Sequence, residues 1–211
     1  MGFTPQKPAR WNYEQNPKAA KKCMEEDYPS IKQRAKQEGA EIYWGDETGI
    51  GSDCQHERGY APKGKTPIVK LNAKRTSLNM ISVITSQGTV RFQTYEGADR
   101  QVDFHKRLIK AAGCKVYLIL NNLRVHHTRV VKAWLAKHED EIEIYYLPSY
   151  SPELNPDEYL NCNLKGRAHS GMPARSKKKL KSKVLSRMKM LQKKPARVPV
   201  YFRHEAIKYA A

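Results

Sequence analysis

The sequence predicts a mixed α/β fold in which one β-sheet carries helices on both faces. Three apolar segments in the first half of the chain have the length and residue types of antiparallel strands. Two further strand-like segments alternate with helical patterns, and a basic helical segment follows them. Alternating strands and helices pack the helices against the faces of a sheet. We therefore expect five strands in one sheet, preceded by short helices and followed by a helical extension.

Residues 1–40 are predicted to form a linker and short helices. Asn16-Pro17 provides a helix N-cap and a first helical residue, which predicts a helix over residues 17–27. Pro29 begins a second short helix, which Gly39 ends.

Residues 41–170 are predicted to hold the sheet. The expected strands are 41–46, 77–85, 90–95, 115–120 and 142–147. Ser86-Gln87-Gly88 joins the second and third strands as a hairpin. The expected helices are 101–112, 125–138 and Pro156 to about Gly166. Residues 52–76 are rich in Gly, Pro and Lys, which indicates an irregular hairpin or loop.

Positive charge is concentrated in the C-terminal part of the chain. The net charge is +18, and residues 164–211 contain fifteen Lys and Arg residues against the single acid Glu205. A charge excess of this size favours a polyanionic partner such as a nucleic acid, because each phosphate contact releases condensed counterions. A solvated helix face or a disordered tail is the alternative. We predict residues 171–211 to be a basic helical C-terminal extension of the same domain. The residues predicted to contact the nucleic acid are Arg58, Lys63, Lys65, Arg175, Lys177, Lys178, Lys179, Lys181 and Lys183.

The remaining composition excludes several protein classes. The four cysteines are widely spaced and form no CxxC pair, so a zinc-thiolate site is not expected. No apolar run reaches the length of about 18 residues that a membrane span requires, and no signal peptide opens the chain. We expect a cytoplasmic protein with no membrane partner.

Polar residues follow or end several of the predicted strands. Asp46 ends the first strand, Asn121 follows the apolar run 116–120, and Asp157 and Glu158 lie just inside the helix that Asn155-Pro156 opens. Ligand sites in open α/β sheets gather at strand ends. Taken singly, each residue has an ordinary alternative role, as a turn residue or as part of a capping box over Asn155–Glu158.

Together these segments resemble a known family. GDETG at 45–49, LNNLRVHH at 120–127 and LPSYSPELNPDE at 147–158 are similar to the catalytic core of DDE transposases of the bacterial insertion-sequence branch of the mariner-like superfamily. The resemblance implies a ribonuclease-H-like fold, a homodimer on DNA and a nucleoid-associated bacterial protein. It also implies three acids that bind two divalent ions, Mg²⁺ or Mn²⁺.

The resemblance assigns the three metal positions residue by residue. Asp46 matches the first acid, and Glu158 matches the third through the NP-x-E spacing. Asn121 occupies the second position, where the family has aspartate. An amide has the shape of a carboxylate without its charge, so we expect impaired catalysis. His126 and His127 could contact phosphate or the outer part of the site, or could be ordinary surface residues.

The function that the resemblance implies is cut-and-paste DNA transposition. The enzyme would cleave element ends and join the 3′ ends to target DNA, usually at a TA step. The region that recognises the element ends is expected to be missing from this chain or separately encoded. Asn121 favours an alternative, a non-catalytic DNA-binding protein derived from a transposase. A ribonuclease-H-like nuclease with another substrate is disfavoured by the LPSYSPELNP match.

Overall fold

The central strand of the sheet pairs with a parallel neighbour along its first part and with an antiparallel neighbour along its later part. The computed structural model describes residues 13–52, 62–65, 75–95, 101–169 and 174–211. Within them, five strands form one sheet in the order β3-β2-β1-β4-β5. The strands are β1 (Glu41–Gly51), β2 (Ser77–Ile84), β3 (Val90–Tyr95), β4 (Val116–Leu120) and β5 (Ile142–Tyr146).

β1 is longer than the predicted strand 41–46. Its first part, Glu41–Gly45, pairs with β4 in parallel, while Trp44–Gly51 pairs with β2 in an antiparallel register. The second part contains Gly49 and Gly51, which are unfavourable in strands and hid it from the sequence pattern. Asp46 therefore lies within the strand rather than at its end. It lies at the point where the parallel neighbour β4 stops.

Helices cover both faces of the sheet, as predicted. The helices are α1 (Pro17–Lys22), α2 (Tyr28–Glu38), α3 (Gln101–Ala112), α4 (Arg129–Leu135), α5 (Pro156–His169) and α6 (Lys177–Lys193). Side chains of α3 and α4 pack on one face, around Tyr43, Val83 and Leu118. Side chains of α1, α2, α5 and α6 pack on the other face, around Trp44.

Three predicted helices differ from the structure. The two N-terminal helices are continuous, because a π-helical turn over Cys23–Asp27 joins α1 to α2. The Tyr28 N–H bonds the Cys23 carbonyl, five residues back, and carries the chain into Pro29 without a break. The predicted helix 125–138 is instead a 3₁₀ turn over Arg124–His127 followed by α4. Thr128 is extended there, and its hydroxyl caps α4.

The C-terminal residues are part of the hydrophobic core. Leu180, Val184, Met188 and Leu191 of α6 are buried, at a spacing that places them on one helix face. Near the chain end, the Tyr209 ring lies 5.8 Å from the Trp44 ring, and the Tyr28 hydroxyl donates to the Ala210 carbonyl at 3.3 Å. The basic side chains of α6 are consequently confined to its remaining faces.

The site strand makes a close contact that only glycine allows. A Cβ on Gly45 would lie 2.7 Å from Val83 Cγ1 and 2.9 Å from Leu120 Cδ2. We expect Gly45→Ala to destabilise the protein by about 1–3 kcal/mol, since overpacking forces neighbouring side chains or strands to shift. Urea denaturation measures this change.

Gly49→Ala on the same strand is the matched control. Its Cβ would meet nothing closer than Asn79 Oδ1, at 3.8 Å. This variant should match the parent or gain about 0.5–1 kcal/mol, because alanine restricts the unfolded chain. Equal losses in both variants would show that the packing around Gly45 is not the cause.

Candidate functional site

The site forms where β1, β4 and the first turn of α5 meet. Leu120, the last residue of β4, pairs with Gly45, so Asn121 leaves the sheet beside Asp46. Asp46 lies on the face of β1 that α5 covers, and Asp157 and Glu158 belong to the first turn of α5. The middle of β1, the end of β4 and the start of α5 thus bring the predicted residues to one place.

Asn121 connects the two predicted acids. Its Nδ2 donates to Asp46 Oδ1 at 3.1 Å and to Glu158 Oε1 at 2.9 Å. The three residues taken from the sequence therefore belong to one hydrogen-bonded cluster. The amide NH₂ group lies between the two carboxylates.

A second asparagine holds that amide in place. Asn155 Nδ2 donates to Asn121 Oδ1 at 3.0 Å and to the Gly45 carbonyl at 2.9 Å. Asn155 is fully buried, and its own Oδ1 accepts from the Asp157 N–H at 3.0 Å. The capping interpretation of Asn155 is correct in this respect. The Glu158 side chain, however, turns to Asn121.

A third acid lies beneath the cluster. Asp157 is fully buried, and its Oδ2 accepts from Ser82 Oγ at 2.7 Å and from Asn161 Nδ2 at 3.4 Å. Asn161 Nδ2 also donates to Asp46 Oδ2 at 3.0 Å. Ser82 and Asn161 were not among the residues predicted from the sequence. The spacing of Asn161, four residues after Asp157, was an available signal, because it places both on one helix face.

Burial raises the pKa values of all three acids of this site. Burial, followed by the nearby charge of Glu158, raises the pKa of Asp46 to about 7, although the Asn161 hydrogen bond opposes the shift. Burial also raises the pKa of Glu158, against the hydrogen bond from Asn121 and the charge of Lys165. Asp157 has a pKa well above its usual range because it is buried. Lys165 is thus a further charged residue of the site.

The donor set resembles a divalent-cation site with one ligand neutralised. Asp46 and Glu158 offer hard carboxylate oxygens, which Mg²⁺ prefers, and a cation would favour their ionised forms, which burial disfavours. The Asn121 carbonyl oxygen faces Asn155 instead of the carboxylates. Across the part of the chain that the structure describes, no three His, Cys, Asp or Glu side chains form a metal-binding group.

The two histidines of the LNNLRVHH segment do not reach this cluster. His126 is buried, and its Nδ1 is 3.0 Å from Gln101 Nε2, which also donates to Glu47 Oε1 at 2.7 Å. Glu47 follows Asp46 on β1, so its side chain points to the opposite face of the sheet. Burial lowers the pKa of His126 to about 4. His127 Nε2 contacts Asn122 Oδ1 at 2.7 Å.

The predicted DNA-contacting residues have different surroundings. Lys63 and Lys65 are exposed on the turn 62–65, and Arg175, Lys178, Lys179 and Lys181 are exposed near or on α6. Lys177 is half-buried, and Lys183 Nζ donates to the Ala168 carbonyl at 3.1 Å. One of the hydrogen bonds that Lys183 can donate is therefore made to the end of α5. Arg58 lies outside the described residues.

Residues 41–181 match the family model described as DDE superfamily endonuclease. The comparison with curated proteins finds no match. In the described residues, no helix is long and apolar enough to span a bilayer.

Solved structures of Mos1 transposase share the fold at low sequence identity. The Mos1 strand transfer complex matches with a TM-score of 0.66 and 17% identity, over 100% of this chain and 67% of the Mos1 chain. The mariner Mos1 paired-end complex with Mg matches with a TM-score of 0.64 and 17% identity, over 100% of this chain and 68% of the Mos1 chain. The Mos1 catalytic domain matches with a TM-score of 0.57 and 14% identity, over 96% of this chain and 97% of the Mos1 chain. The fold is the ribonuclease-H-like fold of that catalytic domain.

The raised pKa of Asp46 predicts a pH dependence of stability. In the unfolded chain the pKa of an aspartate is about 3.9, whereas in the metal-free folded protein the pKa of Asp46 is about 7. Between these values the folded state binds the extra proton, so the free energy of unfolding should fall as pH rises from about 4 to 7. Asp46→Asn removes this contribution and should flatten the decline. Urea midpoints measured across this range, in the presence of a chelator, test it; parallel curves for both proteins would contradict it.

Proposed function

Because the chain belongs to the DDE superfamily of endonucleases, we propose that it is the catalytic domain of a cut-and-paste DNA transposase. We place it in the bacterial insertion-sequence branch of the mariner-like superfamily. It would cleave DNA at element ends and join the 3′ ends to target DNA at a TA step. The observation that carries the proposal is the convergence of Asp46, Asn121 and Glu158 on one hydrogen-bonded cluster.

Asp46 and Glu158 are the proposed metal-binding residues, for two Mg²⁺ or Mn²⁺ ions. Divalent ions in such a site activate the attacking hydroxyl or water and stabilise the leaving oxygen. Mos1 structures have been solved with Mg and with Mn, which supports this choice of cofactor. Asn121 would have to rotate its amide, and give up the Asn155 hydrogen bond, before its carbonyl oxygen could serve as a ligand.

The surrounding residues would fix the two carboxylates. Asn161 holds Asp46 through Oδ2 and leaves Oδ1 for the side of the cluster that Asn121 faces. Asp157, held by Ser82 beneath the cluster, is better suited to a structural role, because its burial favours the neutral form. Burial raises the pKa values of Asp46 and Glu158, and the charge of Lys165 opposes this rise. These residues would position the carboxylates rather than take part in the reaction.

Asn121 should impair catalysis by two routes. Its amide contributes no negative charge to offset two divalent ions. Its NH₂ group also occupies the space between the carboxylates that a cation would need. Neither route should alter the fold or the binding of DNA.

DNA binding is proposed to involve the exposed lysines of the turn 62–65 and of α6, together with Arg58 and Arg175. Lys177 and Lys183 contribute charge to the same region. We propose that the protein acts as a homodimer, in line with the paired-end complexes described for Mos1 transposase. A nucleoid-associated bacterial location follows from the same proposal.

A second candidate function is DNA binding without catalysis, by a transposase derivative. Asn121 is the observation that favours it, because its amide satisfies both carboxylates without a metal ion. Both candidates share the fold and the basic surface. Cleavage by the restored site distinguishes them.

Restoring the second acid should restore cleavage. We expect Asn121→Asp to raise the rate of Mg²⁺- or Mn²⁺-dependent strand cleavage by roughly two to four orders of magnitude, which is equivalent to about 3–5 kcal/mol of transition-state stabilisation. The assay uses labelled element-end DNA with the end-recognition region supplied. Glu158→Gln in the restored protein is the control and should abolish cleavage again. If the parent chain cuts as fast as the restored one, Asn121 does not occupy a metal position.

The α6 lysines should set the salt dependence of DNA binding. Truncation would remove core residues of α6, so charge is better removed by Lys178→Gln, Lys179→Gln and Lys181→Gln together. We expect the slope of log K against log salt to become shallower by about 0.9 for each phosphate that the variant no longer neutralises. The control is Lys36→Gln, Lys110→Gln and Lys137→Gln, which removes the same charge from other exposed positions. Equal slopes for the two triple variants would show that α6 has no special role.

A further inference from the structure

An open groove leads away from the proposed catalytic cluster. Its volume is about 540 Å³, and both Asn121 and Glu158 line it. One wall is the segment 121–124 that follows β4, and the other is the segment 148–152 that precedes α5. A DNA strand whose phosphate lies at Asp46 and Glu158 would therefore have a neighbouring nucleotide in this groove.

Two apolar side chains line the opposite walls. Tyr150 is 56% exposed and Leu123 is 42% exposed. Among the described residues, Tyr150 and Tyr13 are the large aromatic side chains that are exposed to solvent. The groove wall also includes Arg124. A flat aromatic ring, an aliphatic side chain and a cation beside one groove are the groups that contact a nucleobase and its phosphate.

The backbone at Tyr150 is unfavourable for a bulky residue. Its φ is +60°, and it is the one non-glycine residue with positive φ in the described parts of the chain. Glycine adopts this conformation without a steric cost, and asparagine does so more readily than tyrosine. The turn itself therefore gives no reason for a tyrosine at this position. A residue kept in a costly conformation beside a reactive site indicates a role for its side chain.

Hydrogen bonds hold the segment on both sides of Tyr150. Ser149 Oγ accepts from Asn122 Nδ2 at 3.2 Å, which ties the two groove walls together. Ser151 is buried, and its Oγ donates to the Ser149 carbonyl at 3.4 Å. Tyr150 is thus an exposed ring on an anchored turn, which suits a rigid contact surface.

From these observations, and resting on the proposed function, we propose that Tyr150 is a positioning residue that stacks on a nucleobase next to the scissile phosphate. Leu123 contacts the same nucleotide from the opposite wall, and Arg124 faces the adjacent phosphate. A base in a duplex has both faces covered by its neighbours, so this contact requires a base that is unpaired or unstacked. The groove therefore favours DNA that is distorted next to the cleavage position.

The test measures stacking directly, on the full chain and without catalysis. The probe is a short duplex containing one mismatched 2-aminopurine, compared with the same duplex fully paired. Binding by the parent and by Tyr150→Phe should quench the fluorescence of the mismatched probe. Tyr150→Gly should lose the quenching and bind this probe on the order of 10-fold more weakly. Binding to the paired duplex should be unchanged in all three proteins.

Tyr150→Gly also separates stacking from folding, because glycine relieves the positive φ and should leave the urea midpoint equal or higher. Undiminished quenching in Tyr150→Gly would overturn the proposal. So would an equal loss of affinity for paired and mismatched DNA, which would make Tyr150 a general surface contact. The proposed function fails separately, if the parent binds no DNA or if Asn121→Asp shows no metal-dependent cleavage.

Discussion

The arrangement of the site depends on one electrostatic constraint, the presence of three neighbouring carboxyl groups, of which those of Asp46 and Asp157 are buried. Asp46, Asp157 and Glu158 face one another because β1, β4 and the first turn of α5 converge. Carboxylates this close repel, and burial adds to the cost of ionising them. The hydrogen bonds around them come from neutral groups, the amides of Asn121 and Asn161 and the hydroxyl of Ser82. The carboxyl groups are therefore held by amide and hydroxyl donors, and burial raises their pKa values.

The sheet and the C-terminal residues together set the geometry of this space. β4 stops after five residues while β1 continues, so a side chain from beyond the β4 end can reach a side chain within β1. Gly45 leaves room for the close approach of Val83 and Leu120 immediately before Asp46. On the same face, Trp44 is covered by Tyr28 and Tyr209, which come from opposite ends of the chain. The C-terminal residues therefore support the site strand, in addition to carrying positive charge.

Much of this organisation could be predicted from the sequence, and the failures have physical causes. Strand and helix periodicity predicted the five strands, and the three motifs predicted the residues that converge. The second half of β1 was missed because its glycines carry no strand signal, although pairing with β2 makes it a strand. The break at Thr128 was missed because a cap competes with continuation of the helix. Ser82 was not identified because it is an ordinary strand residue until the register places it under Asp157.

The same amide accounts for both the stability of the cluster and its expected loss of activity. A catalytic metal site holds excess negative charge, which is unfavourable in the empty protein and becomes favourable only when cations bind. In the proposed metal site, Asn121 would lower that excess by one charge, and in the structure its amide donates hydrogen bonds to Asp46 and Glu158. The carboxylates of this proposed site would then have hydrogen-bond donors without a metal ion. The binding of a cation would be less favourable as a result. Sites that bind charged cofactors commonly lower the stability of the empty protein. Replacement of a charged ligand by a neutral residue can therefore raise stability while it lowers activity. Under the proposed function, the Asn121 hydrogen bonds would have this effect, because a cation that bound Asp46 and Glu158 would have to displace them.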